Sequence, residues 1–230
     1  MRVLSKPVAV GRAVYIGALA LILFIVLTAA VQVRLLAGLD LGFMEGLRGP
    51  DVSWLMLWAT FTGVAVAGPV SVVWVLVVAF LLRRKGSARW WLPPLALLLV
   101  TLVEVALKST VNQPGEDLHQ FVRRTYYPFA AVELSGTFPS GHLARMAFLL
   151  TYLGSWLRSR RGLVGHIAVP ACLVVAVAVG FSRLYVADHW PSDVVAGLLL
   201  GAGVALLVVD QSFSIHQGTV ASGTQSPRVR

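Results

Sequence analysis

The sequence predicts an all-α, polytopic membrane protein built as a six-transmembrane-helix bundle. Three observations carry that expectation. Hydrophobic residues make up 57% of the 230-residue chain and charged residues only 13%, against about 25% charged in an ordinary soluble domain. Six apolar stretches approach or exceed the roughly 20 residues a helix needs to cross a bilayer. Lysine and arginine cluster between those stretches with a marked bias to one side.

The first stretch runs from Ala13 to about Ala37. Arg2, Lys6 and Arg12 before it resemble the charged flank of a signal peptide, but the apolar run exceeds the roughly 7–15 residues of a cleavable core, so an uncleaved anchor is expected. The second occupies Phe61 to Leu82, preceded by an apolar run from Val52 placed at the interface, and ends at Arg83, Arg84 and Lys85. The third runs from Trp90 to Val111, the fourth from Ser140 to Leu157, the fifth from Leu163 to Phe181 and the sixth from Trp190 to Val209. Residues 1–210 thus read as one integral-membrane domain. The segment 211–230, rich in Ser, Thr, Gly and Gln, reads as a disordered tail.

Orientation follows the positive-inside bias. Twelve basic residues fall on one face (Arg2, Lys6, Arg12, Arg83, Arg84, Lys85, Arg89, Arg158, Arg160, Arg161, Arg228, Arg230) and seven on the other (Arg34, Arg48, Lys108, Arg123, Arg124, Arg145, Arg183). Both termini are therefore expected in the cytoplasm and the chain in the plasma membrane. The formal charge of +9 does not imply nucleic acid, because the basic residues cap apolar segments and form no strip with interleaved aromatics. Cys172 is the only cysteine and lies within an apolar span, which excludes an intrachain disulfide or a cysteine-based metal site. The connection from Asn112 to Pro139 is the longest between spans and mixes charge with aromatic residues (Glu116, Asp117, His119, Arg123, Arg124, Tyr126, Tyr127). A loop of that length suggests a lid or binding element.

Ionisable groups at membrane depth cost several kcal/mol unless paired or hydrated, so each cluster of them is a functional candidate. Three such clusters lie near the outer ends of spans. Pro139-Ser140-Gly141-His142 begins the fourth span, with Ser140 as N-cap and backbone N–H groups free to bind an anion. Arg145 follows one turn later. The bland alternative is a capped helix with an interfacial histidine. His189 and Asp193 are four residues apart, so on a helix the carboxylate can hold one imidazole nitrogen while the other faces substrate; a purely structural pair is the alternative. Glu104 and Lys108 share the same spacing, and Glu before Lys is the orientation that favours a simple ion pair. Together the clusters supply cations and N–H donors for phosphoryl oxygens, a nucleophile and a proton donor. No cluster has metal-ligand spacing, so no metal or other cofactor is expected.

These residues resemble the type-2 phosphatidic acid phosphatase superfamily, which shares its active-site design with vanadium haloperoxidases and bacterial acid phosphatases. The family pattern is K-x6-R-P, then P-S-G-H, then S-R-x5-H-x3-D. The second motif is met by Pro139 to His142, and the third by Ser182, Arg183, His189 and Asp193. The first is met at Lys108, but Gly115 and Glu116 stand where the family has Arg-Pro. Either Arg123, Arg124 or Arg145 substitutes, or the pocket takes a different headgroup. The bland reading of these arginines is that Arg145 pairs with a carboxylate such as Glu133 and the other two meet lipid headgroups.

The resemblance implies that His189 attacks phosphorus, Asp193 orients it, and His142 protonates the leaving oxygen and then activates water. Lys108, Ser140, Gly141 and Arg183 would bind phosphate oxygens. It further implies an outward-facing site and a lipid phosphate or diphosphate substrate of the undecaprenyl diphosphate, phosphatidylglycerol phosphate or phosphatidic acid type. No obligate protein partner is inferred. A lipid-linked phosphotransferase, a haloperoxidase-like enzyme and a non-enzymatic transporter are the competing readings.

The charge asymmetry makes a topology prediction. A reporter fused after Val209 should read cytoplasmic and one inserted near His119 extracytoplasmic; the reverse pattern would move the clusters to the inner leaflet.

Overall fold

Apolar stretches bounded by Gly, Pro and basic residues become helices because, in lipid, only a helix satisfies its own backbone donors and acceptors. The computed structural model describes residues 11–65, 67–113, 118, 120–121, 136–158 and 162–213. Among them it contains eight helices: α1 (Arg12–Gln32), α2 (Ala37–Gly46), α3 (Ser53–Ala65), α4 (Gly68–Arg84), α5 (Leu92–Thr110), α6 (Gly141–Arg158), α7 (Leu163–Tyr185) and α8 (Pro191–Phe213). No strand longer than an isolated bridge occurs among these residues.

Four of the helices, α1, α5, α7 and α8, are individually long and apolar enough to cross a membrane, and the α3–α4 pair, bent by 57°, makes a fifth candidate. The expected count of six differs at α6. That helix aligns with the fourth apolar stretch, but His142, Arg145 and Arg158 lower its hydropathy. The first stretch also ends earlier than expected. Its helix stops at Gln32, Arg34 takes a positive φ of 56°, and the chain restarts as the short helix α2. The run from Val52 is a helix in its own right that ends at Ala65, and α4 opens after the break with Gly68-Pro69, a first-turn position where proline is tolerated. Helix α7 continues four residues past the expected end, which brings Ser182 and Arg183 into its last turn. Helix α8 takes up the first residues of the expected tail; residues 214–230 lie outside those described.

Burial identifies α8 as the central element. In its apolar stretch 61% of residues are buried, against 17% in α1, 28% in α5 and 22% in α7. The outer helices expose whole faces: Ile16, Ile25 and Val26 on α1, Val73 and Trp74 on α4, and Leu173 and Val174 on α7 are each more than half exposed. An apolar surface of that extent suits contact with lipid.

Helix α8 packs against α6, α1 and α5, and small residues set how closely. Gly197-Leu-Leu-Leu-Gly201 is a small-xxx-small stripe, the pattern that lets helix backbones approach in a membrane. A Cβ at Gly201 would collide with the Ala144 carbonyl oxygen, and one at Gly197 with the Ser140 carbonyl oxygen. On the α1 side, a Cβ at Gly17 would stand 2.9 Å from the Gly203 carbonyl oxygen. Far from Ser140, the Ser87 hydroxyl donates to the Ser212 carbonyl at 2.6 Å, and Tyr152 Oη lies 3.0 Å from Ser212 Oγ. These bonds tie the end of α8 to α6 and to the α4–α5 turn.

Inserting a methyl at the α6–α8 contact must push the two helices apart. Gly201→Ala should destabilise the protein by about 1–3 kcal/mol, the scale of overpacking a tight core. Gly42→Ala, where a Cβ meets nothing within 4 Å, should be neutral or slightly stabilising. Thermal unfolding in one detergent would compare them, and equal melting temperatures would refute the close-contact role.

Candidate active site

Four helix ends meet at one end of the bundle: the C-termini of α5 and α7 and the N-termini of α6 and α8. Helix α6 begins as its sequence suggests. Ser140 Oγ accepts from Leu143 N at 3.4 Å and the Ser140 carbonyl accepts from Ala144 N at 3.0 Å, the geometry of an N-cap. The backbone N–H of Ser140 donates to the Asp193 carbonyl at 3.0 Å, so the first turns of α6 and α8 are joined directly.

That joint brings the two histidines together. The rings of His142 and His189 lie edge to face with centroids 6.2 Å apart. His189 sits in the turn before α8, buried at 6% exposure, and its Nδ1 is 3.5 Å from Asp193 Oδ2. This is a contact and not yet a hydrogen bond. The same Oδ2 accepts from Trp190 N at 2.9 Å, while His189 Nδ1 and Asp193 Oδ1 have no hydrogen-bond partner among the described residues. His189 Nδ1 thus stands about half an ångström beyond hydrogen-bond length from the Asp193 carboxylate, and such contacts are often loose before a substrate arrives.

The cations surround this pair. Lys108, Arg145 and Arg183 are all near enough for their charges to act on His142. Lys108 and Arg145 share one buried carboxylate: Lys108 Nζ is 3.0 Å from Glu104 Oε1, and Arg145 Nη1 is 2.6 Å from Glu104 Oε2. The carboxylate lies against the first residue of α6, where a Cβ on Gly141 would overlap it. Glycine at 141 is therefore required by packing, and the negative charge sits where the helix dipole favours it. The expected Glu104–Lys108 ion pair is present, but as two-thirds of a triad. Arg145 pairs with Glu104, whereas Glu133 lies outside the described residues, as do Gly115, Glu116, His119, Arg123 and Arg124.

Arg183 is fixed by other partners. It is 2% exposed; its Nη2 donates to the Ala59 carbonyl and, at 3.3 Å, to Thr62 Oγ1, while Nη1 reaches Asp188 Oδ2 at 2.9 Å. Thr62 also meets Ser182 Oγ at 3.1 Å. The side chain of Asp188 is 41% exposed, so its attraction is screened and weak beside the buried bonds to α3. Helix α3 thus aims Arg183, leaving Asp188 as the partner easily exchanged for another anion.

Sequence reasoning missed one buried group. Asp40 on α2 is 4% exposed; Oδ1 accepts from Ser192 N at 3.0 Å, and Oδ2 accepts from Ser192 Oγ at 2.6 Å and Gln113 Nε2 at 3.3 Å. Burial pushes its carboxyl above the usual carboxylate range, opposed by the bonds from Ser192 and Gln113. The signal was present: Asp40 is a lone acid following an apolar stretch, and such an acid requires a partner.

Residues 89–216, a little more than half of the chain, match the model of the PAP2 superfamily. The chain is 33% identical over 103 residues to the lipid A 1-phosphatase of Rhizobium johnstonii, a match covering 44% of this chain and 38% of that enzyme. It is 26% identical over 147 residues to the undecaprenyl-diphosphatase of Sulfolobus acidocaldarius, covering 56% of this chain and 66% of the relative. The matched stretches thus span about 40–65% of these relatives' lengths. In fold it is similar to the transmembrane PAP2 type phosphatidylglycerolphosphate phosphatase of Bacillus subtilis, with a TM-score of 0.67 at 22% identity, covering 84% of this chain and 94% of that one. The motif residues at the meeting of α5, α6, α7 and α8 all fall within the matched segment, and the chain belongs to the PAP2 superfamily.

Proposed function

We propose that this protein is an integral-membrane lipid phosphatase that hydrolyses a phosphomonoester or diphosphate through a phosphohistidine on His189. The observation that carries the reading is the facing pair His142 and His189, 6.2 Å apart by centroid, with three cations around them. A tetrahedral phosphoryl group needs a nucleophile on one side, a proton donor on the other and positive charge at its equatorial oxygens.

In the first step His189 Nε2 attacks phosphorus, the bond from phosphorus to the lipid oxygen breaks, and His142 gives its proton to that oxygen. In the second, His142 takes a proton from water, the water oxygen attacks phosphorus, the P–N bond breaks and inorganic phosphate leaves. Asp193 faces Nδ1 throughout and stabilises the positive imidazole of the intermediate. The Ser140 hydroxyl and the Gly141 N–H offer donors, and Lys108, Arg145 and Arg183 neutralise the oxygens, so the chemistry assigns no task to a metal. Arg145 takes the place of the arginine that the family pattern puts at Gly115, since Glu104 ties it to Lys108. Completed by α6 and the bent α3–α4 pair, the bundle crosses the membrane six times, with the site on the extracytoplasmic side and both termini in the cytoplasm. The relatives nominate the substrates: lipid A 1-phosphate, undecaprenyl diphosphate and phosphatidylglycerol phosphate, with phosphatidic acid beside them.

The test is phosphate release by purified protein from a panel of these lipids. His189→Ala and His142→Ala should each abolish turnover while leaving the melting temperature close to the parent's, because a catalytic histidine contributes rate more than packing. Activity should survive EDTA and fall with vanadate, which imitates five-coordinate phosphorus. Substantial turnover by His189→Ala, or chelator-induced loss restored by Mg²⁺, would overturn the mechanism.

Arg145→Gln should lower kcat/KM on a short-chain soluble substrate by about 10²-fold or more, the scale of losing one transition-state donor. A change of only a few-fold would leave Lys108 and Arg183 as the working cations.

A further inference from the structure

Asp40 lies in α2, outside the segment 89–216 that matches the family model, yet its carboxylate is buried against the first turn of α8. Helix α8 begins with Pro191, which has no N–H, so Ser192 N is its first backbone donor, and Asp40 Oδ1 accepts from it at 3.0 Å. The next residue is Asp193, whose side chain holds the His189 turn through Trp190 N and whose carbonyl holds Ser140 N at the start of α6. Asp40 Oδ2 also takes Gln113 Nε2 at 3.3 Å, and the Gln113 carbonyl accepts from Thr137 N at 3.2 Å. Gln113 follows Lys108 by five residues and Thr137 precedes Ser140 by three. One carboxylate therefore connects the element bearing the nucleophile, the approach to the helix bearing His142, and the segment leaving the Lys108 helix.

A carboxylate in so dry a place costs several kcal/mol to bury unless its bonds return that energy. Here three donors do so, and two of them belong to a single residue beside Asp193.

We infer that Asp40 is a positioning residue of the phosphoryl-transfer site: it fixes the first turn of α8, and through it the placement of Asp193 and His189 opposite His142. This rests on the phosphatase reading above. Among the described residues Asp40 bonds to Ser192 and Gln113, with no bond to either histidine or to the phosphate cations, so its influence is on geometry at the moment of reaction. Arg145 and Arg183 keep partners of their own, and substrate binding is spared.

The experiment compares Asp40→Ala, Asp40→Asn and Ser192→Ala in the full chain, with turnover of a short-chain lipid phosphate normalised to folded protein. Asp40→Ala should lose about 10²-fold in kcat with KM within about threefold, the scale of a roughly 1 Å misplacement remote from the chemistry. Asp40→Asn keeps an acceptor for Ser192 N, and rotation of the Ser192 hydroxyl and the Gln113 amide can accommodate its NH2, so it should recover to within about tenfold of the parent. Ser192→Ala keeps the backbone bond and should lose about tenfold, non-additively with Asp40→Asn because the two share one interaction. If Asp40→Ala does not fold, these last two variants and their double mutant decide.

Folded variants that all stay within threefold of the parent, a loss confined to KM, or Asp40→Asn as damaged as Asp40→Ala would each overturn the inference while leaving the phosphatase reading intact. A parent that releases no phosphate from any substrate in the panel overturns both.

Discussion

The separation of the two histidines depends on how closely the backbones of α6 and α8 approach. His142 and His189 belong to different segments, 47 positions apart in sequence, and neither touches the other's helix through a long flexible arm. What holds them is the backbone bond from Ser140 N to the Asp193 carbonyl and, below it, the two glycines at 197 and 201 that admit the Ser140 and Ala144 carbonyls against α8. In lipid there is little hydrophobic force to press helices together, so close van der Waals contact and small residues must do so. A site built on two helix starts joined in this way needs no long loop to keep its geometry.

Charge follows from the same closeness. The N-terminus of α6 would attract any anion, and in this structure Glu104 occupies its flank, with Lys108 and Arg145 on its two oxygens. The triad carries one net positive charge. Paired buried charges are tolerable where single ones are not, so Glu104 allows two cations to sit near His142 without each demanding its own water. Arg183 is handled differently: neutral acceptors on α3 hold it, and the half-exposed Asp188 pairs with its charge.

The helices were legible because apolar length is a strong signal, and the motif residues because their spacing survives translation into helix starts and ends. Ser140 as a cap and the Glu104–Lys108 pair follow from local spacing alone. Less legible were features that depend on which helices meet. That Arg145 finds Glu104 requires knowing that α5 and α6 are neighbours at their polar ends. The Gly197–Gly201 stripe was readable as a pattern, but its target, the start of α6, was not. Helix α6 is less apolar for a related reason: His142 and Arg145 stand at the start that meets α5 and α8, and Arg158 is exposed at the far end. Asp40 was passed over because it belongs to no motif, and its partners Gln113 and Ser192 are 73 and 152 positions away.

The division between α2 and the matched segment bears on how such a site is built. Chemistry needs the reacting side chains within fractions of an ångström of their places, and the residues that secure this need not touch the reaction. In this chain the proposed reacting groups lie on the stretch from α5 to α8, while supports come from before it: Ala59 and Thr62 on α3 for Arg183, and Asp40 on α2 for the start of α8. Pattern matching over residues 89–216 registers the first set and is blind to the second. A fragment cut at residue 89 would keep every motif histidine and cation yet lose the bonds to Arg183 from α3 and the carboxylate beneath Ser192. On physical grounds the amino-terminal helices are therefore part of the site's framework as well as anchors in the membrane.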